Sequence, residues 1–372
     1  MPGLETTTVG NDSSTTLAVA AFSNVHLADG KVTAKVDGVW LPVCGENWDD
    51  SLSDVVCREL GYGKATGTEI VIVSKPYETS LVHMKQENGT QGSLLSSLTV
   101  SNASCGLSLS VKCQEFECGA WNLAHGDEPG PHARIVSTTG ATQGQWPSVG
   151  LVRSQDKVCV ASILSPNWLI TSWSCVSNSS EAEDISTWHF VQDAPLLTRS
   201  DAVVSHNYAL SHMLKHPQLQ VLDNGVLNDV MLLRTAQPID VVDSARAVCL
   251  SNNTVQPQQL CVTVGWGTSD LEATQHLHYL PVPLISQNEC NSSHSGKLHE
   301  GITCASFVDK EKALCQKDSG APLICMSEHN RWEIQGVLTL NKDCDSVLLP
   351  SVFTSIFHVS QWIKEVLDSS CH

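Results

Sequence analysis

Short apolar runs alternate with polar residues along most of the chain. Beyond residue 135 these runs are separated by Gly, Pro, Asn and Ser, which is typical of β-strands joined by turns. Residues 52–60 instead place apolar side chains at i, i+3, i+4 and i+8, behind Ser51 as a candidate N-cap. Residues 359–367 also have helical spacing. The pattern predicts an all-β domain closed by a C-terminal helix, with a smaller helix-containing domain before it.

Two stretches without apolar periodicity divide the chain. Residues 1–17 are rich in Thr, Ser and Gly, and residues 114–134 contain several Gly and Pro residues, so both are predicted linkers. They leave one folded domain at residues 18–113 and a second at residues 135–372. In the first domain, strand-like alternation occurs within residues 32–43.

Composition excludes some function classes. Charged residues make up 16% of the 372 residues and apolar residues 41%, which is enough to fill two cores. The formal net charge is −18 and Lys and Arg form no run, so we expect no nucleic-acid partner. No segment has 18 consecutive apolar residues, and residues 17–22 are too short for a signal peptide. Any membrane attachment is expected through an anchor upstream of this chain.

The cysteines indicate an extracellular protein. There are 15 of them and none has Cys-x-x-Cys spacing, which favours disulfides over metal sites. We therefore expect a secreted protein or the ectodomain of a membrane protein, with no cofactor and no metal. Asp49, Asp50 and Asp54 lie close together, but such acids on an exposed turn are usually solvated. The consensus N-glycosylation acceptors are Asn11, Asn88, Asn102, Asn178, Asn252 and Asn291.

The first domain contains a recognisable pair of motifs. Residues 38–44 read Gly-Val-Trp-Leu-Pro-Val-Cys, and Trp48 is followed by Val-Val-Cys-Arg-Glu-Leu-Gly-Tyr at residues 55–62. These motifs resemble the scavenger receptor cysteine-rich (SRCR) family. The resemblance implies a small α+β domain in which a curved sheet cradles a helix, and it leaves open whether the domain is a spacer or a ligand-binding module. It also implies the disulfides Cys44–Cys105 and Cys57–Cys113.

The second domain carries a longer series of motifs. They are Arg134-Ile135-Val136, Gly144-Gln-Trp-Pro147, Ser165-Pro-Asn-Trp168-Leu-Ile-Thr171, Asn228-Asp229-Val-Met-Leu-Leu-Arg234, Val264-Gly-Trp-Gly267, Cys315-Gln-Lys-Asp-Ser-Gly-Ala-Pro322 and Val352-Phe-Thr354. Their order and spacing resemble the trypsin-like serine proteases of chymotrypsin fold. The resemblance implies a mainly β architecture of two six-stranded antiparallel β-barrels with a C-terminal helix. An SRCR domain followed by such a domain is similar to the C-terminal half of transmembrane and mosaic serine proteases.

The resemblance also locates the positions of a catalytic triad. Ser319 lies where the nucleophile belongs and Asp229 where the buried carboxylate belongs, but Ser174 occupies the position of the histidine. Acyl transfer needs an imidazole to take the proton of the serine, and a hydroxyl cannot do so near neutral pH. We therefore predict no functional catalytic residue, unless a histidine from another loop reaches both remaining positions.

Neighbouring positions depart from the family pattern as well. Lys317 replaces a glycine whose amide faces the oxyanion, and Ala313 lies at the base of the specificity pocket, where no carboxylate awaits a basic substrate side chain. Arg134-Ile135 resembles a zymogen activation junction, and Asp318 is the residue that pairs with the new amino terminus in the family. The sequence leaves open whether this junction still operates a conformational switch or is an inherited remnant.

The expected function follows from these departures. We predict a catalytically inactive serine protease homologue that acts as an extracellular binding or regulatory module in a proteolytic cascade, with proteases or their substrates as partners. The alternatives are a weak or conditionally active serine endopeptidase and a scavenger-receptor-type ligand-binding protein. Cys371 is left without a partner by the family pattern. Further disulfides implied by the resemblance are Cys118–Cys249, Cys159–Cys175, Cys261–Cys325, Cys290–Cys304 and Cys315–Cys344.

Overall fold

The computed structural model covers most of both predicted domains. It describes residues 22–60, 62–77, 81–84, 98–101, 103–114, 117–121, 139–140, 144–155, 157–177, 179, 184–192, 206–222, 225–239, 246–253, 260–266, 277–295, 298–306, 318–339 and 349–369. Several residues named above lie outside the described residues. They are Asn11, Asn88, Asn102, Arg134, Ile135, Asn178, Ala313, Cys315, Lys317, Cys344 and Cys371.

The N-terminal domain is a five-stranded sheet with one helix packed against it. The sheet has the order β1-β2-β7-β4, with β3 beside β2, and α1 contacts β4 and β7. β5 and β6 pair separately as a two-stranded sheet. The elements are β1 (Phe22–Ala28), β2 (Lys31–Val36), β3 (Val39–Pro42), α1 (Asp50–Glu59), β4 (Ala65–Tyr77), β5 (Leu81–Met84), β6 (Leu98–Ser101) and β7 (Cys105–Cys113).

Helix α1 begins earlier than the sequence pattern indicated. Its N-cap is Asp49, whose carboxylate accepts hydrogen bonds from the Leu52 amide at 3.0 Å and from the Ser51 hydroxyl at 2.6 Å. The prediction that Ser51 caps the helix was therefore wrong, because Ser51 already lies inside the first turn. These two hydrogen bonds, the one from Ser51 first, lower the pKa of Asp49. Leu52 and Val56 form the buried face of the helix, as its apolar spacing predicts.

The C-terminal domain consists of many short strands and three helices among the described residues. The strands are β8 (Thr139–Gly140), β9 (Val149–Arg153), β10 (Val158–Ser165), β11 (Trp168–Thr171), β12 (His189–Gln192), β13 (His206–Lys215), β14 (Gln220–Leu222), β15 (Gly225–Leu227), β16 (Met231–Thr235), β17 (Cys249–Leu250), β18 (Leu260–Gly265), β19 (His278–Ile285), β20 (Ile302–Ala305), β21 (Pro322–Met326), β22 (Trp332–Leu338) and β23 (Ser351–Ser355). The helices are α2 (Trp173–Ser177), α3 (Gln287–Ser293) and α4 (Ile356–Ser369).

These strands close into two barrels. The first has the order β10-β11-β16-β13-β12-β9, and the second closes through β22-β21-β18-β19-β20-β23, all with antiparallel pairing. The predicted architecture of two six-stranded antiparallel barrels is confirmed. One buried apolar cluster extends from Ile170 and Leu232 in the first barrel to Ile334 and Phe353 in the second. The C-terminal helix begins at Ile356, before the predicted start.

The two domains contact each other directly. The side-chain amide of Asn167, in the turn between β10 and β11, donates hydrogen bonds to the carbonyls of Arg58 at 3.2 Å and Glu59 at 2.7 Å. These carbonyls lie at the C-terminal end of α1, where intrahelical donors run out, so Asn167 caps a helix of the other domain. Trp121 of the connecting segment stacks on Trp332 with ring centroids 6.1 Å apart.

Six disulfides join the described cysteines, and each is a pair that the family resemblance implies. No described helix is long and apolar enough to cross a membrane. The bridges are Cys44–Cys105, Cys57–Cys113, Cys118–Cys249, Cys159–Cys175, Cys261–Cys325 and Cys290–Cys304.

Candidate functional site

Ser174 is the second residue of the short helix α2. β11 ends at Thr171, α2 begins at Trp173, and the disulfide from Cys159 to Cys175 ties this helix back to β10. Cys175 and Val176 of this helix are buried, whereas Trp173 and Ser177 at its ends are half-buried. Ser174 belongs to the buried face and is 3% exposed.

Both oxygens of the Asp229 carboxylate accept a hydrogen bond from Ser174. The Ser174 amide donates to Oδ1 at 2.7 Å, and its hydroxyl donates to Oδ2 at 2.7 Å. Asp229 has no exposed surface and follows Asn228, which has a φ of 53° at the turn into β16. The Thr354 hydroxyl also donates to the Asp229 carbonyl at 3.4 Å. The structure thus brings these two triad positions together, with the Ser174 hydroxyl acting as a donor.

Ser319 is held by its backbone but not by its side chain. Its carbonyl accepts from the Val160 amide at 3.1 Å, and the Gly320 amide donates to the Leu338 carbonyl at 3.0 Å. Gly320 has a φ of 89°, and a Cβ there would collide with the Val160 carbonyl, so only glycine fits this turn. The Ser319 hydroxyl is buried and has no hydrogen-bond partner among the described residues. It is therefore not linked to Ser174 or Asp229.

Asp318, the predicted partner of a new amino terminus, is fully buried beside β18. A Cβ on Gly265 would lie 2.5 Å from its Oδ1, so the absence of a side chain there makes room for the carboxylate. Ile135 lies outside the described residues.

Two of the three clustered acidic residues of the first domain have partners within the protein. Asp49 caps α1, and Asp54 accepts from the Ala65 amide at 2.7 Å and lies 3.8 Å from Arg58. Elsewhere in the described residues, the possible ligand atoms of Cys44, Glu46 and Cys105 lie as close together as metal ligands do. Those two cysteines form a disulfide and offer no thiolate, so this cluster does not suit a metal ion.

Comparison with known families identifies both domains. The Trypsin family model matches residues 135–363, which is more than half of the chain. The chain belongs to the trypsin family. A model of the scavenger receptor cysteine-rich domain matches residues 31–122, so this trypsin-family chain carries an SRCR domain before its barrels.

Three curated relatives span both domains. The chain is 29% identical over 342 residues to human "Transmembrane protease serine 5", covering 89% of this chain and 71% of that protein. It is 25% identical over 332 residues to the rat "Atrial natriuretic peptide-converting enzyme", covering 87% of this chain and 29% of the relative. The chain is 24% identical over 332 residues to the human protein of the same name, and the match covers 87% of this chain and 31% of that relative. The chain thus spans less than one third of the two converting enzymes.

Two polar residues that the sequence analysis did not single out have notable positions. Asn167 caps a helix of the other domain. Gln335 is buried in the apolar strand β22 and lines a cavity. Gln335 could have been singled out from the sequence, because it is a lone glutamine within an apolar run. Asn167 could not, because its partners are more than 100 residues away in the sequence.

Proposed function

We propose that this chain is a catalytically inactive member of the trypsin family that acts as an extracellular binding or regulatory module. Its expected partners are proteases of a cascade or their substrates. The observation that carries the proposal is the Ser174–Asp229 pair, in which the amide and hydroxyl of Ser174 bind both carboxylate oxygens.

The chemistry of acyl transfer explains why this pair matters. A serine nucleophile must lose its proton to a neighbouring base as it attacks, and the imidazole normally fills that role. The Ser174 hydroxyl cannot accept a proton near neutral pH, and it already donates a hydrogen bond to Asp229. In subtilisin, loss of the histidine lowers turnover by a factor on the order of 10⁶. Ser319 is therefore expected to remain an ordinary alcohol.

An extracellular location is supported by the covalent structure. The six described disulfides would not persist in a reducing compartment. They lie in both domains, and one of them ties the segment between the domains to the second domain. One relative is named a transmembrane protease, which supports an ectodomain as the setting of this chain. The net charge of −18 argues against a nucleic-acid partner.

A fluorophosphonate probe tests the proposal, because it labels only an activated serine. We expect no labelling of Ser319 in the full chain, before or after cleavage at Arg134. Active trypsin is the positive control, and a Ser319→Ala variant reports background labelling. Stoichiometric labelling that the Ser319→Ala change abolishes would contradict the proposal and support a weak or conditionally active endopeptidase. A Ser174→His variant should regain little activity, because Lys317 and Ala313 remain.

A further inference from the structure

A cavity of about 310 Å³ opens on the second barrel. Its walls come from the end of β19, from β20, from the end of β23 and from the start of α4, and they include Leu284, Ile302, Thr303 and Ser355. Ser174, Asp229 and Ser319 are not among the lining residues. The cavity is therefore a site separate from the triad positions.

Gln335 brings a side-chain amide with an unpaired oxygen to this cavity. It is 4% exposed, and its Oε1 has no hydrogen-bond partner among the described residues. In the pairing of β21 with β22, Leu323 lies opposite Gly336 and Ile324 lies opposite Ile334, so Gln335 is the extra residue of a β-bulge. A bulge redirects a side chain out of the regular alternation of a strand. A buried amide without a partner destabilises a fold unless a ligand supplies the missing hydrogen bonds.

The lining of the cavity defines the chemistry that it accepts. Among the described residues that line it, none carries a formal charge, although the chain as a whole has a net charge of −18. Leu284 and Ile302 provide an apolar wall, and Phe357 stands at the rim with 46% of its surface exposed. Exposed aromatic residues beside a pocket are typical anchors of protein interfaces. The site thus combines an apolar wall and one buried carboxamide with several uncharged polar side chains, which are Asn253, Ser286, Gln287, Thr303 and Ser355.

We propose that this cavity binds an uncharged segment of a partner polypeptide, with an apolar side chain inside and a backbone amide paired with Gln335. A carboxamide offers both a donor and an acceptor, and the backbone N–H and C=O of one residue in an extended chain point the same way and present the complementary pair. The volume is at the lower end for ligand pockets, which suits one side chain and its peptide unit. The inference rests on the proposed role as a binding module, and it supplies that module with a contact point.

Capped amino acids test the site directly on the full chain. N-acetyl-L-leucinamide should bind with a dissociation constant on the order of 1 mM, as expected for a fragment of this size, and saturation-transfer NMR measures it. Gln335→Leu should weaken binding about tenfold, because both hydrogen bonds are lost. Phe357→Ser should weaken it as well. N-acetyl-L-leucinate should bind less tightly than the amide, since no cation lines the cavity.

Controls separate this site from the rest of the proposed function. Gln192→Leu removes another buried glutamine amide, one that does not line the cavity, and should leave the binding unchanged. Gln335→Leu should keep or raise Tm, because it removes an unpaired buried polar group. No binding to the wild type at about 10 mM, equal binding to Gln335→Leu, or a Tm loss in that variant would each overturn the inference. Fluorophosphonate labelling of Ser319 tests the loss of catalysis independently.

Discussion

Replacing Ser174 by alanine tests whether this residue has become the structural partner of Asp229. The change removes only the hydroxyl that donates to Oδ2 at 2.7 Å and leaves the amide bond to Oδ1 in place. Asp229 has no exposed surface, so water cannot replace the lost donor without a rearrangement of the core. A hydrogen bond to a charged group contributes about 1.5–3 kcal/mol.

The expected loss of unfolding free energy is therefore about 1.5–3 kcal/mol, which lowers Tm by about 3–12 °C in a domain of this size. Thermal unfolding followed by circular dichroism measures it. Ser177→Ala is the matched control on the same helix, because its hydroxyl donates to a neutral carbonyl at 3.3 Å in a half-buried position. That control should lose less than about 1 kcal/mol.

A double-mutant cycle with Asp229→Asn separates the charge from the packing. Charge-assisted hydrogen bonds are roughly twice as strong as neutral ones. The loss of unfolding free energy caused by Ser174→Ala should therefore be about half as large in the Asp229→Asn protein as in the wild type. An equal cost in both backgrounds would refute the idea that Ser174 stabilises a buried carboxylate. A cost of Ser174→Ala no larger than that of Ser177→Ala would refute it too.

Three further predictions concern the linker, one buried histidine and the domain contact. Trypsin should cut first after Arg134, and the products should separate on a gel only after reduction, because Cys118–Cys249 joins them. Burial, and then a neighbouring histidine, lower the pKa of His216, so the unfolded chain takes up the proton first. Stability should fall as the pH drops below about 6.5, and His216→Asn should flatten that fall in Tm. Asn167→Ala should speed amide hydrogen exchange at the end of α1 by about fivefold, since two capping hydrogen bonds are lost. An unchanged exchange rate would show that the Asn167 contact does not stabilise the end of α1.

Several features of this protein were predictable because they depend on local pattern or on motif order. Alternating apolar runs separated by turn residues gave strands, and the spacing at residues 52–60 gave α1. The motif order predicted two closed barrels, which the strand pairing confirms. Helix bounds were less predictable, since the cap at Asp49 depends on side-chain geometry and Ser51 is an equally good capping residue by type.

The sequence, through its family resemblance, predicts that Ser174 takes the position of the base, whereas only the tertiary structure decided which groups that serine contacts. Ser174 and Asp229 are 55 residues apart, and their hydrogen bonds exist because β11 and β16 pair side by side in the first barrel. The capping of α1 by Asn167 and the exposure of Gln335 to a cavity also join distant segments. Such contacts depend on how strands and domains pack, and a one-dimensional pattern carries periodicity but no distances between remote residues.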